Sequence, residues 1–373
     1  MEDLQAAPPT VRIGLSRAGV TGVQKAVRIG RGSREKLIAA TIDCTVDLDP
    51  SQKGVHMSRF PELFEEAIAE MVEDDAFLVE DLAEHVATHI VGRQHAVLAE
   101  VHIRARYPYE RTTPVTKLST QEMVTLIGIA AASERGTKRV VGVEAIGINA
   151  CPCAQGLVRG RAQERLLDAG FESGDVERIL ELVPLATHNQ RGLGTLYVGT
   201  GERINACPCA QGLVRGAAAD RLLEAGFEGD DVERILELVP LATHNQRGRG
   251  TLLAGTAERL NAERLVEIVE GSMSSPIYEL LKRPDELFVV EHAHLQPRFV
   301  EDSVRVALKS VLDELPQLED DDFLLSRQVN FETIHAHEVV AERHGTAGEL
   351  RAELEGAGHG PAAHTVLRDW LRR

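Results

Sequence analysis

Residues 149–155 have the sequence NACPCAQ and residues 187–192 have the sequence THNQRG, and both motifs occur again 56 residues later. At this offset, residues 149–204 and 205–260 are identical at 45 of 56 positions. Solenoid repeats need about three or more units to bury a continuous core, and two copies flanked by unrelated sequence do not fit that class. The near-identity indicates a recent tandem duplication or an error of sequence assembly. We predict that one copy is a tolerated insertion.

The composition is that of an acidic globular protein. Of the 373 residues, 43% are hydrophobic and 27% are charged, so the chain can form a real core in one large domain or two. The formal net charge of -17 argues against a non-specific nucleic-acid binder, although an anionic small substrate could occupy a locally basic pocket. Without a membrane-length apolar run or a basic start to the chain, we expect a cytoplasmic protein with no membrane partner.

The five cysteines fall into two classes. Cys44 stands alone in a strand-like run, where we expect a buried small hydrophobic residue. The other four form the pairs Cys151/Cys153 and Cys207/Cys209. Cysteines this close cannot easily bridge each other, and a reducing cytoplasm disfavours a disulfide between the pairs. The pairs therefore indicate metal binding or catalysis.

The order of predicted elements indicates an α+β fold. The first half has the order strand, strand, helix, helix, strand, strand, which is typical of an antiparallel sheet with helices on one face, and this order recurs loosely in the second half. The predicted strands are residues 11–20, 37–48, 96–107, 139–148, 195–198, 287–291 and 323–330. The predicted helices are residues 62–72, 79–91, 162–169, 176–182, 262–270, 277–282 and 300–315, with a loosely held helical tail from Gly345.

Two further groups outside the repeat have chemical potential. His335 and His337 are two residues apart after a predicted strand, so on an extended segment they point the same way and can converge on one metal or one substrate edge. Glu291 ends a predicted strand, and a carboxylate accepts the two parallel N–H bonds that guanine and pterins present. A structural histidine pair and a solvated strand-end charge are the alternative interpretations.

Taken together, several motifs resemble the type IB GTP cyclohydrolases, including the archaeal MptA-type enzymes, over about residues 10–345. The 37 residues from Cys151 to His188 are similar to the archaeal branch. The resemblance implies two tandem tunnelling-fold modules that assemble as homo-oligomers, dimers or tetramers, with sites near subunit interfaces. We divide the chain into a first module (1–148), the duplicated segment (149–260), the rest of the second module (261–345) and a tail (346–373). The motifs are GVHMSRF (54–60), TPVTKLSTQE (113–122), ACPCAQ, ATHNQRG, SSPIYELLKRPDE (274–286), RFVEDSVR (298–305) and ETIHAHE (332–338).

The resemblance implies a hydrolytic opening of the imidazole ring of GTP, with loss of C8 as formate. The product would be a 7,8-dihydroneopterin triphosphate or 2′,3′-cyclic phosphate, at the first step of folate or methanopterin-type pterin biosynthesis. One divalent metal per subunit, Fe²⁺, Zn²⁺ or Mn²⁺, would supply a nucleophilic water. The metal ligands would be Cys151 and His188 or, in the other copy, Cys207 and His244. His335 and His337 would carry protons or complete the metal shell, with Glu332 orienting them.

The resemblance also assigns substrate contacts. Glu291 matches the carboxylate that anchors the guanine edge. The basic candidates for the triphosphate are His56, Arg59, Lys282 and Arg283, and their alternative role is as solvated surface charges. The family pattern is broken at Pro276, where bacterial members have a glutamate metal ligand, so a histidine of the HAH pair is expected to replace it. Two other functions stay open: an inactive pterin or purine binder with a structural metal, and an enzyme that uses cysteine as a covalent nucleophile.

The sequence favours Cys151 over Cys207, because a well-formed predicted strand, residues 139–148, precedes it. His244 leads through residues 251–254 into the helix at Ala262, as the family pattern requires, so the histidine stays undecided. A hybrid site that pairs Cys151 with His244 is a third arrangement. Loop-closure entropy grows only slowly with length, so an insertion of this size is tolerated when its ends stay close.

Overall fold

The computed structural model describes residues 9–29, 36–71, 78–94, 96–150, 152–185, 208–241, 246–257, 259–331, 338–357 and 364–373. The strands are β1 Leu15–Ile29, β2 Lys36–Leu48, β3 Leu98–Thr112, β4 Ser119–Ser133, β5 Gly136–Asn149, β6 Gln246–Gly255, β7 Ser275–Pro276, β8 Phe323–Asn330 and β9 Val339–Thr346. The helices are α1 Arg59–Met71, α2 Val79–Gln94, α3 Pro152–Asp168, α4 Ser173–Leu182, α5 Pro208–Glu224, α6 Gly229–Leu238, α7 Ala262–Ser272, α8 Arg283–Leu295, α9 Val300–Glu314, α10 Ala347–Leu354 and α11 Leu367–Arg372.

One antiparallel sheet organises the described residues. Its order is β1-β2-β3-β4-β5-β6-β8-β9, with the short β7 paired to β5. The element order β1-β2-α1-α2-β3-β4 is repeated as β5-β6-α7-α9-β8-β9, with two insertions. The helices α3 to α6 lie between β5 and β6, and β7 and α8 lie between α7 and α9. Apolar residues of α1, α2, α7 and α9 share one core with the sheet. The predicted α+β class, a large antiparallel sheet with helices, is therefore confirmed.

Several predicted elements are confirmed and others are wrong. The strands at 37–48, 139–148 and 323–330 correspond to β2, β5 and β8, and Cys44 is buried as expected. The predicted strand at 287–291 is wrong, because these residues belong to α8. The predicted helix at 277–282 is also wrong: the backbone there bonds to side chains of β3 and β4 instead of to itself. The strand predicted at 195–198 lies outside the described residues.

The strand pairing defines two opposite edges of the sheet. At the near edge β3 and β5 end and β4 and β6 begin, as the pairs Thr112/Ser119 and Asn149/Gln246 define. At the far edge β4 ends beside the starts of β3 and β5, as Ser133 pairs with both Leu98 and Gly136. β2 also ends at the far edge, because Val46 near its end pairs with Ala99. With 13 residues in β2 and a rise of roughly 3.3 Å each, the two edges are about 40 Å apart.

Among the described helices, none is long and apolar enough to cross a membrane.

Candidate active site

Three neighbouring strands bring their ends together at the near edge. Asn149, the last residue of β5, lies opposite Gln246, the first residue of β6. Gly248 of β6 lies opposite Asn330, the last residue of β8. Paired residues in antiparallel strands lie about 4.5–5.5 Å apart. The described residues that adjoin the first CPC motif, the second THNQRG motif and the ETIHAHE motif are therefore side by side.

Most of the predicted metal and proton-transfer residues lie outside the described residues, so their roles stay predictions. Arg283 begins α8, but only its backbone is described. The undescribed site residues are Cys151, His188, Cys207, His244, Glu332, His335 and His337.

The segment that leads to Cys151 is held firmly at the near edge. The backbone N–H of Ser274 donates to the carbonyl of Ile148 (2.9 Å), and the N–H of Ala150 donates to Ser274 Oγ (3.2 Å). The N–H of Arg298 donates to the carbonyl of Ala150 (3.1 Å). Pro276 pairs with β5 in the same place. Pro276, where the resemblance implies a metal-binding glutamate in bacterial members, is therefore beside the end of β5, and its side chain has no ligand atom.

α8 carries two buried polar side chains with atoms that lack a partner. Glu291 is 9% exposed, and its Oε2 accepts a hydrogen bond from Arg221 Nη2 (2.7 Å). His294 is 2% exposed and donates from Nδ1 to the carbonyl of Val290 (2.8 Å), which leaves Nε2 as an acceptor. Glu291 Oε1 and His294 Nε2 are buried without a hydrogen-bond partner among the described residues. Since buried polar atoms are normally satisfied, both are candidates for contact with a bound substrate or metal.

His294 is neutral and lies next to α3, the helix that begins within the first CPC motif. Burial lowers the pKa of its imidazole to about 4, and the bond to the carbonyl of Val290 opposes this only in part. The side-chain amide of Gln155 in α3 donates to the backbone carbonyl of His294 (2.7 Å). A neutral imidazole with a free Nε2 can bind a metal or accept a proton. Sequence analysis assigned no role to His294, and it becomes a candidate because its imidazole is buried with Nε2 unpartnered among the described residues.

Asp285 fixes the start of α8 to the loop between β3 and β4. Its Oδ1 accepts from the backbone N–H groups of Val115 and Thr116, both at 2.7 Å, and its Oδ2 accepts from the Thr116 hydroxyl and from the N–H of Lys282 (3.2 Å). Burial alone would raise the pKa of Asp285, but these hydrogen bonds outweigh it and lower the pKa to about 2. Asp285 is thus an ionised carboxylate that positions the TPVTKL motif against α8.

A second buried ionic group joins the first half of the chain to the segment before α8. Arg111 pairs with Glu270 and lies 3.7 Å from Glu122, and its Nη1 donates to the carbonyl of Ile277 (2.6 Å). Burial raises the pKa of Glu122, and Arg111 opposes this. The guanidinium also lies 4.8 Å from the ring centroid of Tyr278. This group holds the irregular backbone after β7 in place.

The predicted triphosphate residues are found at opposite edges. Lys282 precedes α8, next to the near-edge loop. His56 and Arg59 follow β2 at the far edge. Within one chain the structure therefore does not bring them to one site. Lys117, within the TPVTKLSTQE motif, is exposed in the near-edge loop with a φ of 56°, a backbone conformation that non-glycine residues adopt rarely.

The described residues contain one group that could hold a metal ion, and it lies away from the sequence motifs. His85 Nε2 and His89 Nε2 on α2 lie 2.9 Å and 3.5 Å from Glu70 Oε2 on α1. The ligand atoms of these partly exposed residues all lie within 4.8 Å of one another. Sequence analysis gave this group no role; the signal in the sequence is the spacing of His85 and His89, four residues apart on one helix.

Comparison with known proteins decides the family. The profile described as type I GTP cyclohydrolase folE2 matches residues 1–204 and matches again over residues 200–341. The chain belongs to the type I GTP cyclohydrolase family. The family predicted from the motifs is thereby confirmed. The two matches overlap at residues 200–204, where the first repeat copy ends and the second begins.

Named relatives and solved structures are also similar to this cyclohydrolase-family chain. The protein called GTP cyclohydrolase MptA from Methanococcus aeolicus is 36% identical over 360 residues, covering 95% of this chain and 99% of that protein. The protein of the same name from Methanothermobacter thermautotrophicus is 34% identical over 361 residues, covering 95% and 96%. The crystal structure of uricase from Arthrobacter globiformis covers 95% of this chain and 98% of its own, with 6% identity and a TM-score of 0.45.

Proposed function

We propose that this chain hydrolyses the imidazole ring of GTP, releases C8 as formate and forms a 7,8-dihydroneopterin phosphate for pterin biosynthesis. One observation carries the proposal: the ends of β5, β6 and β8 meet at the near edge, directly beside the motifs that the cyclohydrolase family would use. The MptA name of the relatives favours the methanopterin-type pathway. An inactive pterin or purine binder is the less favoured candidate, and the cytoplasmic location stays a prediction.

The metal site is proposed to be a hybrid of the two copies. Cys151 follows Asn149 by two residues, and His244 precedes Gln246 by two residues. Since Asn149 and Gln246 are paired, the described residues that adjoin Cys151 and His244 meet at the near edge, which supports the pairing of these two ligands. In sequence, Cys207 directly precedes α5 and His188 follows α4, so neither is next to a strand of the described sheet. We therefore assign Cys151 and His244 as the working pair and His188 and Cys207 as the spare pair.

The proposed ligand chemistry suits a divalent transition metal. A cysteine thiolate with imidazole ligands binds Zn²⁺ or Fe²⁺ well. When bound, such an ion supplies a nucleophilic water near neutral pH. His335 or His337 completes the ligand set, and His294 is a further candidate for the place that Pro276 leaves, because its buried Nε2 lacks a partner among the described residues.

Glu291 is proposed to anchor the guanine edge. Its carboxylate, held by Arg221, offers Oε1 and the second lone pair of Oε2 to the N1–H and amino groups of guanine. This double contact orients the imidazole ring so that C8 faces the near edge. The imidazoles of His335 and His337 then move protons at N7 and N9, because histidine exchanges protons near neutral pH. Glu332 orients this pair.

Arg221 provides a prediction with an internal control. Arg221→Ala removes the only described partner of the Glu291 carboxylate, so we expect the KM for GTP to rise about tenfold, the factor for losing roughly one charge-assisted hydrogen bond. The matched control is Arg165→Ala, the same position in the first copy, where the guanidinium donates to the carbonyl of Leu238 at 3.5 Å. Steady-state kinetics of both variants test this. Equal KM changes would show that the Arg221 contact has no role in substrate binding.

The fold is proposed to be two tandem tunnelling-fold modules in a homo-oligomer. The repeated element order supports the tandem modules, although the division into residues 1–148, 149–260, 261–345 and 346–373 stays a prediction. His56 and Arg59 lie at the far edge, about 40 Å from the proposed metal site. They can contact the triphosphate only if they come from a neighbouring subunit. The proposed dimer or tetramer therefore shares each site between two chains.

The direct test of the function is incubation of the purified chain with GTP and Fe²⁺, Zn²⁺ or Mn²⁺. Formate release together with pterin fluorescence after oxidation is the expected result. Product mass separates the triphosphate from the cyclic phosphate. Absence of formate with every metal, together with retained binding of pterin or purine, would support the inactive binder instead.

A further inference from the structure

The two copies of the duplicated segment form two similar helical hairpins, α3–α4 and α5–α6. In the first hairpin Arg159 Nη1 donates to the carbonyl of Leu180 at 2.9 Å. In the second hairpin Arg215, the same position, donates to the carbonyl of Leu236, also at 2.9 Å. The two copies therefore share the same internal contacts.

The contact between the hairpins is reciprocal. Arg178 Nη2 in the first copy donates to the carbonyl of Ala225 in the second, and Arg234 Nη2 in the second donates to the carbonyl of Ala169 in the first, both at 2.7 Å. Arg178 and Arg234 are equivalent positions of the two copies, as are Ala169 and Ala225, because each pair is separated by the repeat length of 56 residues. A contact in which each partner uses the same patch is isologous, the arrangement of a two-fold dimer of separate molecules.

Two more contacts follow the same two-fold rule. The two arginine side chains lie over Phe227 and Phe171 of the opposite copy, both 5.2 Å from the ring centroid. Leu185 pairs with Leu241, its own equivalent, in an isolated antiparallel bridge. A residue that meets its own equivalent lies on the two-fold axis. Tandem linkage in one chain does not by itself require such an axis.

The hairpins share an apolar cluster that is separate from the main core of the sheet. Equivalent residues in both copies are buried to a similar extent. A single hairpin would leave part of this face exposed, as interaction surfaces do. The buried pairs are Ala162/Ala218, Leu166/Leu222, Val176/Val232, Ile179/Ile235, Leu180/Leu236, Val183/Val239 and Leu185/Leu241.

The symmetry ends where the second copy meets the rest of the protein. Val290 of α8 joins the hairpin cluster, and Arg221 of α5 bonds to α8. The two copies also differ in sequence here. The first copy has Arg161 in α3, with a side chain that is 65% exposed, and the second copy has Ala217 at the equivalent position of α5. The α5–α6 hairpin is therefore packed on α8, whereas α3–α4 packs on α5–α6 and bonds to α8 through Gln155.

We propose that this face of the hairpin is a homodimerisation surface, and that the duplicated copy supplies the second half of the dimer within one chain. In a chain with one copy, the partner is the same hairpin of a second chain. The inference rests on the reciprocal contacts and is independent of the proposed chemistry.

Cysteine cross-linking of a single-copy chain tests the proposal. Deletion of residues 152–207 joins Cys151 to Pro208 and leaves one hairpin. In this variant, Leu241→Cys places the new thiol on the two-fold axis, where antiparallel pairs are about 4.5–5.5 Å apart and within disulfide range. We expect a disulfide-linked dimer as the main product of mild oxidation. In the full chain, Leu185→Cys/Leu241→Cys should form the bond within one chain.

Two controls define the outcome. The single-copy chain without an added cysteine gives the background from native thiols. Single-copy Leu223→Cys, at a half-exposed position of α5, should form several-fold less dimer. A yield of cross-linked dimer from Leu241→Cys that is no higher than that from Leu223→Cys overturns the proposal. A single-copy chain that cannot fold also overturns it, because the proposal requires a second chain to be able to supply the partner hairpin. Cross-linking between full chains overturns the pairing within one chain.

Discussion

Cys151→Ala abolishes formate release from GTP and removes the catalytic metal, whereas Cys207→Ala keeps both near the wild-type level. The reason is that β5 leads directly to Cys151 at the near edge, whereas Cys207 leads into α5. Loss of a metal ligand removes the activated water, so we expect a decrease of about 10³-fold or more in turnover. Formate assays and metal analysis of the two variants measure this.

The histidines should show the crossed pattern. His244→Ala should be as inactive as Cys151→Ala, and His188→Ala should resemble the wild type, because Gln246 two residues after His244 begins β6. Loss in Cys151→Ala together with His188→Ala would place the site within the first copy. Equal partial loss in Cys151→Ala and Cys207→Ala would contradict a single site and indicate two.

Mixing of inactive subunits should restore activity. Arg59→Ala and Cys151→Ala chains are each expected to be inactive or nearly so, because one lacks a far-edge phosphate contact and the other lacks the metal. When each site uses Arg59 from a neighbour, a mixed assembly contains one intact site. Two affinity tags select the mixed dimers, in which one of the two sites is intact, so this fraction should have about half of the wild-type activity. Co-expression with two affinity tags and formate assay of the doubly purified fraction measure the recovery.

The control for this experiment is a mixture of Cys151→Ala with His244→Ala. Both residues belong to the same near-edge site, so no mixed assembly contains a complete site and no activity should return. Recovery in this control, or no recovery with Arg59→Ala, would contradict the shared site.

Some elements could be predicted from local sequence, and others depended on contacts between distant residues. β2 alternates buried and more exposed positions and was predicted nearly to the residue. β4 was missed because its residues from Val124 to Ala132 are mostly buried on both faces, so the alternation is absent. The apolar residues at 287–291 were interpreted as a strand. They are helical in a segment whose first turn is anchored by Asp285 to the loop at Val115 and Thr116.

The candidate site shows the same division. The motifs identified the family and the positions beside the strand ends, because motif chemistry is local. The burial of Glu291 and His294 depends on how α8 packs, which no local pattern shows. The contrast between Arg165 and Arg221 was also inaccessible, because the two copies are nearly identical in sequence and differ in what surrounds them.

The double variant Cys207→Ala/His188→Ala tests the central claim most directly, because it removes the whole spare pair and leaves only the hybrid pair of Cys151 and His244. Formate release from GTP by this variant, with its catalytic metal, is expected to stay within about twofold of the wild type, a change of less than ~0.5 kcal/mol in the activation free energy. Loss of formate release from a folded double variant would contradict the hybrid site.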